Sequence, residues 1–209
     1  MPLFPAVLET ERLRLERATT DDCWALYEHA NTDAPNVEAV TRYLTWEPHE
    51  TPKVTRDFLA TVESRWADGE GATYVVRPQE GEANAGEFGG MTGLTLDWDR
   101  HLGTLGLWLR EPLWGRGYSA ERAGALLPLA FDRLDLDVVA VTHDPDNDAS
   151  RRAVEKYVDR FGGRHEGTFR NAGVGHDGSV LDHVRYSIAR EEWRDAVGDD
   201  HGVRLVDAA

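Results

Sequence analysis

One cysteine, Cys23, is all the thiol chemistry this chain of 209 residues carries. A lone thiol forms no internal disulfide and no thiolate metal cluster, and its place on an apolar helix face marks it as a core residue. Lysine is almost as scarce: Lys53 and Lys156 are the only two among 23 basic residues, so arginine supplies nearly all the positive charge. No apolar run approaches the ~20 residues that span a bilayer. Residues 1–7 lack the basic start and apolar stretch of a secretory leader. These absences point to a cytoplasmic protein with no membrane partner. Nucleic-acid binding needs a basic face, which a formal net charge of −15 disfavours, so no nucleic-acid partner is expected. An acidic, lysine-poor surface stays hydrated where salt screens charge strongly, as in a salt-loving cytosol.

What is present is a globular composition, 41% hydrophobic with seven tryptophans. There are no repeats, low-complexity tracts or linkers. The expectation is a single domain over residues 1–199 with a loose tail over 200–209. Residues 8–17 alternate as a strand. Thr20, Asp21 and Asp22 cap a helix carrying Cys23, Leu26, Tyr27 and Ala30 on one face. Residues 36–44 form a short helix. Thr51-Pro52 opens another, with Val54, Phe58, Val62 and Trp66 at helical spacing. Strands follow at 72–77, 88–97 and 103–110, the last two joined by a tight hairpin at Asp99-Arg100-His101. A helix over 120–134, a β-branched strand over 137–143, a capped helix over 149–161 and strands at 167–171 and 182–188 complete the pattern, with a glycine loop at 173–178. Antiparallel strands followed by a β-α-β unit indicate a mixed α/β sheet flanked by helices. Pro128 lies inside a helical stretch; its ring faces the carbonyl of Gly124, and a kink is expected there.

The chemistry-bearing feature is Gly115-Arg116-Gly117-Tyr118-Ser119-Ala120, between a strand and a helix. Unpaired amides at a helix start, reinforced by the helix dipole, hold anions. Glycine admits a ligand to the backbone, and Arg116 adds a cation. The bland alternative is a turn that only reverses the chain. Gly115-x-Gly117-x-x-Ala120, with Asp144 following at ribose-binding distance, also fits the dinucleotide fingerprint of a nicotinamide-dependent oxidoreductase. Against that stand the mid-chain position, the four residues between Arg110 and Gly115, and the single β-α-β unit that follows.

Four segments resemble one family. LGLWLREPLWGRGYSAERA over residues 105–123 looks like the acetyl-CoA motif of the GNAT superfamily, of general form Q/R-x-x-G-x-G/A, and its Trp-Gly-x-Gly-Tyr form resembles the RimJ/RimL-type branch. LETERLRL (8–15), DPDNDASRRAVEKYVDRF (144–161) and DHVRYSIAREEW (182–193) are similar to that branch's opening strand, its Asn-x-x-Ser helix start and its closing strand. Two positions depart from the pattern: Trp114 stands at the usual Gln/Arg place and Ser119 at the usual Gly/Ala place.

The resemblance implies an α+β (mixed α/β) fold with a mostly antiparallel sheet of about seven strands, splayed at the fourth and fifth. It implies acetyl-CoA as co-substrate and an amine acceptor that is a protein N-terminus or a small molecule. Backbone groups of Leu107 and Leu109 would pair with the pantetheine arm. The amides of Trp114, Gly115, Arg116, Gly117, Tyr118, Ser119 and Ala120 would take the pyrophosphate. Asn147 would hydrogen-bond the coenzyme, and Ser150 would sit near its sulfur. The carboxylate some relatives carry after the sixth strand is replaced here by Asn171-Ala172-Gly173.

In that family the amine attacks the thioester directly. Ser150 is the candidate general acid, although Asn147-Asp148-Ala149-Ser150 is also helix-capping chemistry. His143 is the candidate base, with His101, Glu111, His176 and His183 as weaker ones; the alternatives are that His143 is structural and that a chain of waters removes the proton. His176-Asp177 and Asp182-His183 match no established metal-ligand spacing, so no metal is expected. Trp24, Tyr27, Tyr43 and Trp46 either line the acceptor cleft or belong to the core. A homodimer is compatible with the sequence, and so is a CoA-binding regulatory module without turnover.

Overall fold

The computed structural model describes residues 2–175, 178–198 and 203–207. Two short strands come first, β1 (Val7–Glu9) and β2 (Leu13–Arg17). Where the alternation predicts one strand over 8–17, the chain turns at Thr10, whose backbone amide donates to Leu13 O, and pairs Leu8 with Leu15. A 3₁₀ turn (Thr20–Asp22) leads into α1 (Cys23–Ala30), followed by α2 (Val37–Thr41) and α3 (Pro52–Ala67). Thr51 caps α3 by accepting from the amide of Val54, with proline at the start where its missing N–H costs nothing.

Strands β3 (Gly71–Pro78), β4 (Gly90–Asp97) and β5 (Leu102–Leu109) form an antiparallel meander. Then come α4 (Tyr118–Pro128), β6 (Val138–His143), α5 (Asp148–Arg160), β7 (Arg164–Val174), β8 (Val180–Ala189), α6 (Arg190–Val197) and β9 (Arg204–Val206).

One sheet of nine strands results, in the order β7-β8-β6-β5-β4-β3-β2-β1-β9. Among the described strands only β5 and β6 pair in parallel. The expected seven become nine because residues 8–17 split in two and because the tail contributes a strand. That tail is not loose over 203–207. Leu205 pairs with Leu8, Arg204 meets the Glu9 carboxylate, and Asp207 accepts from Arg133 at 2.6 Å.

The sheet divides two apolar layers. Leu8, Leu13, Leu15, Tyr74, Leu105, Leu109, Val139 and Val141 pack against α4, α5 and Trp193 on one side. Ala18, Val75, Phe88 and Met91 pack against α1 and α3 on the other. Pro128 does not simply kink its helix. The chain widens into a π-helical turn over Leu129–Arg133, closed by Leu134 N to Leu129 O at 3.0 Å. At Gly124, an added Cβ would meet Phe161 at 3.1 Å, so glycine lets α5 approach. Cys23 is only half-buried; its thiol contacts Pro52 O at 3.5 Å. No described helix is long and apolar enough to cross a membrane.

Candidate active site

The parallel pairing of β5 with β6 stops at Leu105 and Val141. Arg110 N donates to Gly89 O at 2.9 Å, on the β4 side of β5. Strand backbone groups alternate with period two. Leu107 and Leu109 therefore turn their N–H and C=O toward β6, which has already diverged, so both lack a partner on that strand. This gap is the splay expected between the fourth and fifth strands, here β5 and β6. Leu109 O is already engaged, accepting from the indole Nε1 of Trp114 at 2.8 Å.

The glycine turn sits at the mouth of that gap. Gly115 has φ 73° and Gly117 φ 83°, both in the left-handed region where a Cβ is penalised. Gly117 forms the N-cap of α4. Residues 114–117 are exposed. Among the described residues, no acceptor takes the amides of Gly115, Arg116, Gly117, Tyr118 or Ser119. Five unpaired N–H groups at a helix start have the chemistry to receive an anion.

The two flanking amides expected to join them do not. Trp114 N donates to Glu111 O at 2.9 Å and Ala120 N to Gly117 O at 3.1 Å. Trp114 is consumed by the 3₁₀ turn Glu111–Leu113 that precedes it, and Ala120 lies one residue too far into the helix. Arg116 is partly tethered, its Nε donating to Pro112 O at 2.9 Å.

Four residues that sequence reading missed, Thr10, Arg12, Glu82 and Glu121, brace the turn. Glu121, in the first turn of α4, accepts from Arg12 Nε at 2.8 Å and Arg12 N at 2.8 Å, and from Thr10 Oγ1 at 2.5 Å. Tyr118 is buried and donates its hydroxyl to Glu82 at 2.5 Å. Burial, then the bond to Glu82, pushes the Tyr118 phenol up to about 12. These contacts link residues far apart in sequence, and no local pattern announces them.

Across the gap, β6 ends in His143, buried at 6% exposure and stacked on Tyr186 at 5.7 Å. Its Nδ1 lies 2.8 Å from Asp144 O. A carbonyl oxygen can only accept, so Nδ1 carries a hydrogen, and in the uncharged tautomer the lone pair falls on Nε2. That Nε2 is buried and has no partner among the described residues. Asn147 caps α5, its Oδ1 accepting from Ser150 N at 2.9 Å. The Ser150 hydroxyl thus has no capping duty.

The weaker base candidates lie elsewhere. His101 is at the far end of β5, 3.2 Å from Asp137. Glu111 is engaged by Asn36. The ring of His183 lies over Gly173 on the β7–β8 hairpin. His176 and Asp177 fall outside the described residues.

Among the aromatic candidates, Tyr43 bridges the opening by donating to Asp146 O at 3.2 Å, and Trp46 packs on Trp108 of β5 at 5.4 Å. Trp24 is 71% exposed on α1, and Tyr27 contacts Glu50 O at 3.4 Å. Tyr43 and Trp46 thus contact the loop after β6 and strand β5 respectively, the elements on either side of the gap.

A mostly antiparallel sheet opened between its two parallel strands, with helices on both faces and unpaired amides at the start of α4, defines a mixed α+β domain. The sequence profile of the Acetyltransferase (GNAT) domain matches residues 12–157, most of the chain, and the chain belongs to that acetyltransferase family. No curated protein matches it closely. Solved structures share the fold. A candidate acetyltransferase from T. thermophilus is 26% identical, with TM-score 0.73 over 94% of this chain and 95% of that one. The microcin C7 self-immunity acetyltransferase MccE, solved with acetyl-CoA and AMP, is 15% identical with TM-score 0.73, covering 86% and 93%. The ribosomal-protein-S5-alanine acetyltransferase of Vibrio fischeri is 16% identical with TM-score 0.67, covering 90% and 98%.

Proposed function

We propose that this acetyltransferase is an N-acetyltransferase of the RimJ/RimL type that carries the acetyl group of acetyl-CoA to a primary amine by direct attack, with no acyl-enzyme. The observation that carries the proposal is the row of free amides from Gly115 to Ser119 beside the open edge of β5. In this reading those amides bind the diphosphate, and Leu107 and Leu109 line the pantetheine arm. Asn147, whose Oδ1 is committed to the cap, offers its Nδ2 to the coenzyme.

The residues divide the chemistry as follows. His143 Nε2 accepts the proton lost by the attacking nitrogen, directly or through water. The amide of Leu109 faces the oxygen that gains charge as the carbonyl carbon becomes tetrahedral. Ser150 donates a proton to the thiolate as the carbon–sulfur bond breaks. No step needs a metal. The acceptor approaches from the face bearing Trp108 and Trp46, and it is a protein N-terminus or a small amine. Carboxylates at the protein surface favour a cationic acceptor. The setting is a cytosol of high salt.

Thermal melting in high-salt buffer tests the binding. Acetyl-CoA at millimolar concentration should raise Tm, and NAD should not. Release of free thiol upon adding candidate amines should then separate an enzyme from a CoA-binding module. An unchanged Tm with acetyl-CoA, or a larger rise with NAD, overturns the proposal.

A further inference from the structure

The guanidinium of Arg12 reaches the back of the glycine turn from more than a hundred residues earlier in the chain. Nη1 donates to Arg116 O at 3.0 Å. Nε and Nη2 hold Glu121 Oε2 at 2.8 and 2.6 Å. The carbon of the same group sits 5.2 Å above the Tyr118 ring, whose hydroxyl is fixed by Glu82. All three guanidinium nitrogens of Arg12 and one of its faces thus engage the turn or the first turn of α4.

Two consequences follow from elementary geometry. In a trans peptide the C=O of one residue and the N–H of the next point in opposite directions. Arg12 draws the Arg116 carbonyl to the protein side, which aims the Gly117 N–H outward, where a phosphate would lie. With glycine on both sides of Arg116, that peptide has little intrinsic barrier to turning over, so an external hold is needed. The second consequence is electrostatic. Glu121 is a carboxylate at a helix N-terminus, favourable for the helix itself but repulsive to a bound anion. Two charge-assisted bonds from Arg12 neutralise it.

We infer that Arg12 is a positioning residue for diphosphate binding, a role resting on the coenzyme reading above: it locks the Arg116–Gly117 peptide in the anion-binding orientation and screens Glu121. It touches neither the reacting atoms nor the pantetheine arm. Lysine cannot replace it, because one ammonium does not span both the carbonyl and the carboxylate in the planar fork that Arg12 uses.

Affinities of the full-length wild-type and variant chains for two probes test this, acetyl-CoA and S-acetylpantetheine, which keeps the arm and thioester but has no phosphate. The ratio of the two affinities is insensitive to the fraction of chain that is folded. In Arg12→Ala the preference for acetyl-CoA over S-acetylpantetheine should fall about tenfold or more, the scale of one forfeited charge-assisted contact. Arg12→Lys should recover only a minor part of it. An unchanged ratio in Arg12→Ala, with both affinities falling together, means the residue serves only the fold, and full recovery in Arg12→Lys means only its charge matters; either overturns the inference. Failure of the wild-type chain to bind acetyl-CoA would instead strike the coenzyme reading itself.

Discussion

The Nδ1 of His143 and the carbonyl oxygen of Asp144, its neighbour in the chain, lie 2.8 Å apart, and this contact selects the tautomer of a buried ring. The lone pair is left on Nε2, which has no partner among the described residues and sits at the end of the strand that borders the gap.

His143→Ala should therefore lower kcat by about a hundredfold, the usual scale for losing a general base, while acetyl-CoA affinity stays within a few-fold of wild type. Turnover with an identified acceptor, set beside a CoA titration, checks both halves. A kcat within threefold of wild type would assign proton removal to water alone.

Asn147 and Ser150 can be told apart because the cap belongs to the asparagine. Asn147→Ala removes the Oδ1 that receives Ser150 N and should cost about 1 kcal/mol in a denaturation midpoint. Ser150→Ala should cost under about 0.5 kcal/mol yet reduce kcat. A Ser150→Ala variant with full turnover would remove that hydroxyl from the chemistry.

At Gly117, φ of 83° is accessible to glycine and strained for any β-branched residue. Gly117→Val should weaken acetyl-CoA binding at least about tenfold, through a backbone forced out of the left-handed region. Gly117→Ala should show the same trend with less loss of stability. Unaltered affinity in both, by calorimetry, would make the turn purely structural.

The Tyr118 phenol supplies a pH test. Its pKa in the folded chain is about 12 against 10 for the free side chain, caused by burial and then by the bond to Glu82. Folding thus favours the protonated phenol. Its contribution is fully present below pH ~10 and is lost as pH rises toward about 12, because the unfolded chain ionises first. Urea midpoints of the wild type should decline across that window, and Tyr118→Phe should show a shallower decline. Identical slopes would contradict it.

How much of this was legible beforehand follows from the range of each interaction. The strands, the helices and the turn at 115–117 rest on local patterns: alternation, capping and glycine spacing, all visible within a few residues. The gap at Leu107 and Leu109 came from resemblance, since no local pattern says where two parallel strands part. The Arg12–Glu121 pair joins segments 109 residues apart, and only the fold brings them together. The tail strand at Arg204–Val206 is too short to announce itself; it exists because β1 presents an open edge. The engaged amides of Trp114 and Ala120 depend on where a 3₁₀ turn ends and a helix begins, a boundary that sequence patterns place only to within a few residues.

A structure of the chain bound to CoA bears most directly on the anion turn. Phosphate oxygens should lie ~3 Å from the amide nitrogens of residues 115–119, with the pantetheine arm running along Leu107 and Leu109 where β6 has turned away. CoA lodged elsewhere, with those amides still unengaged, would contradict it.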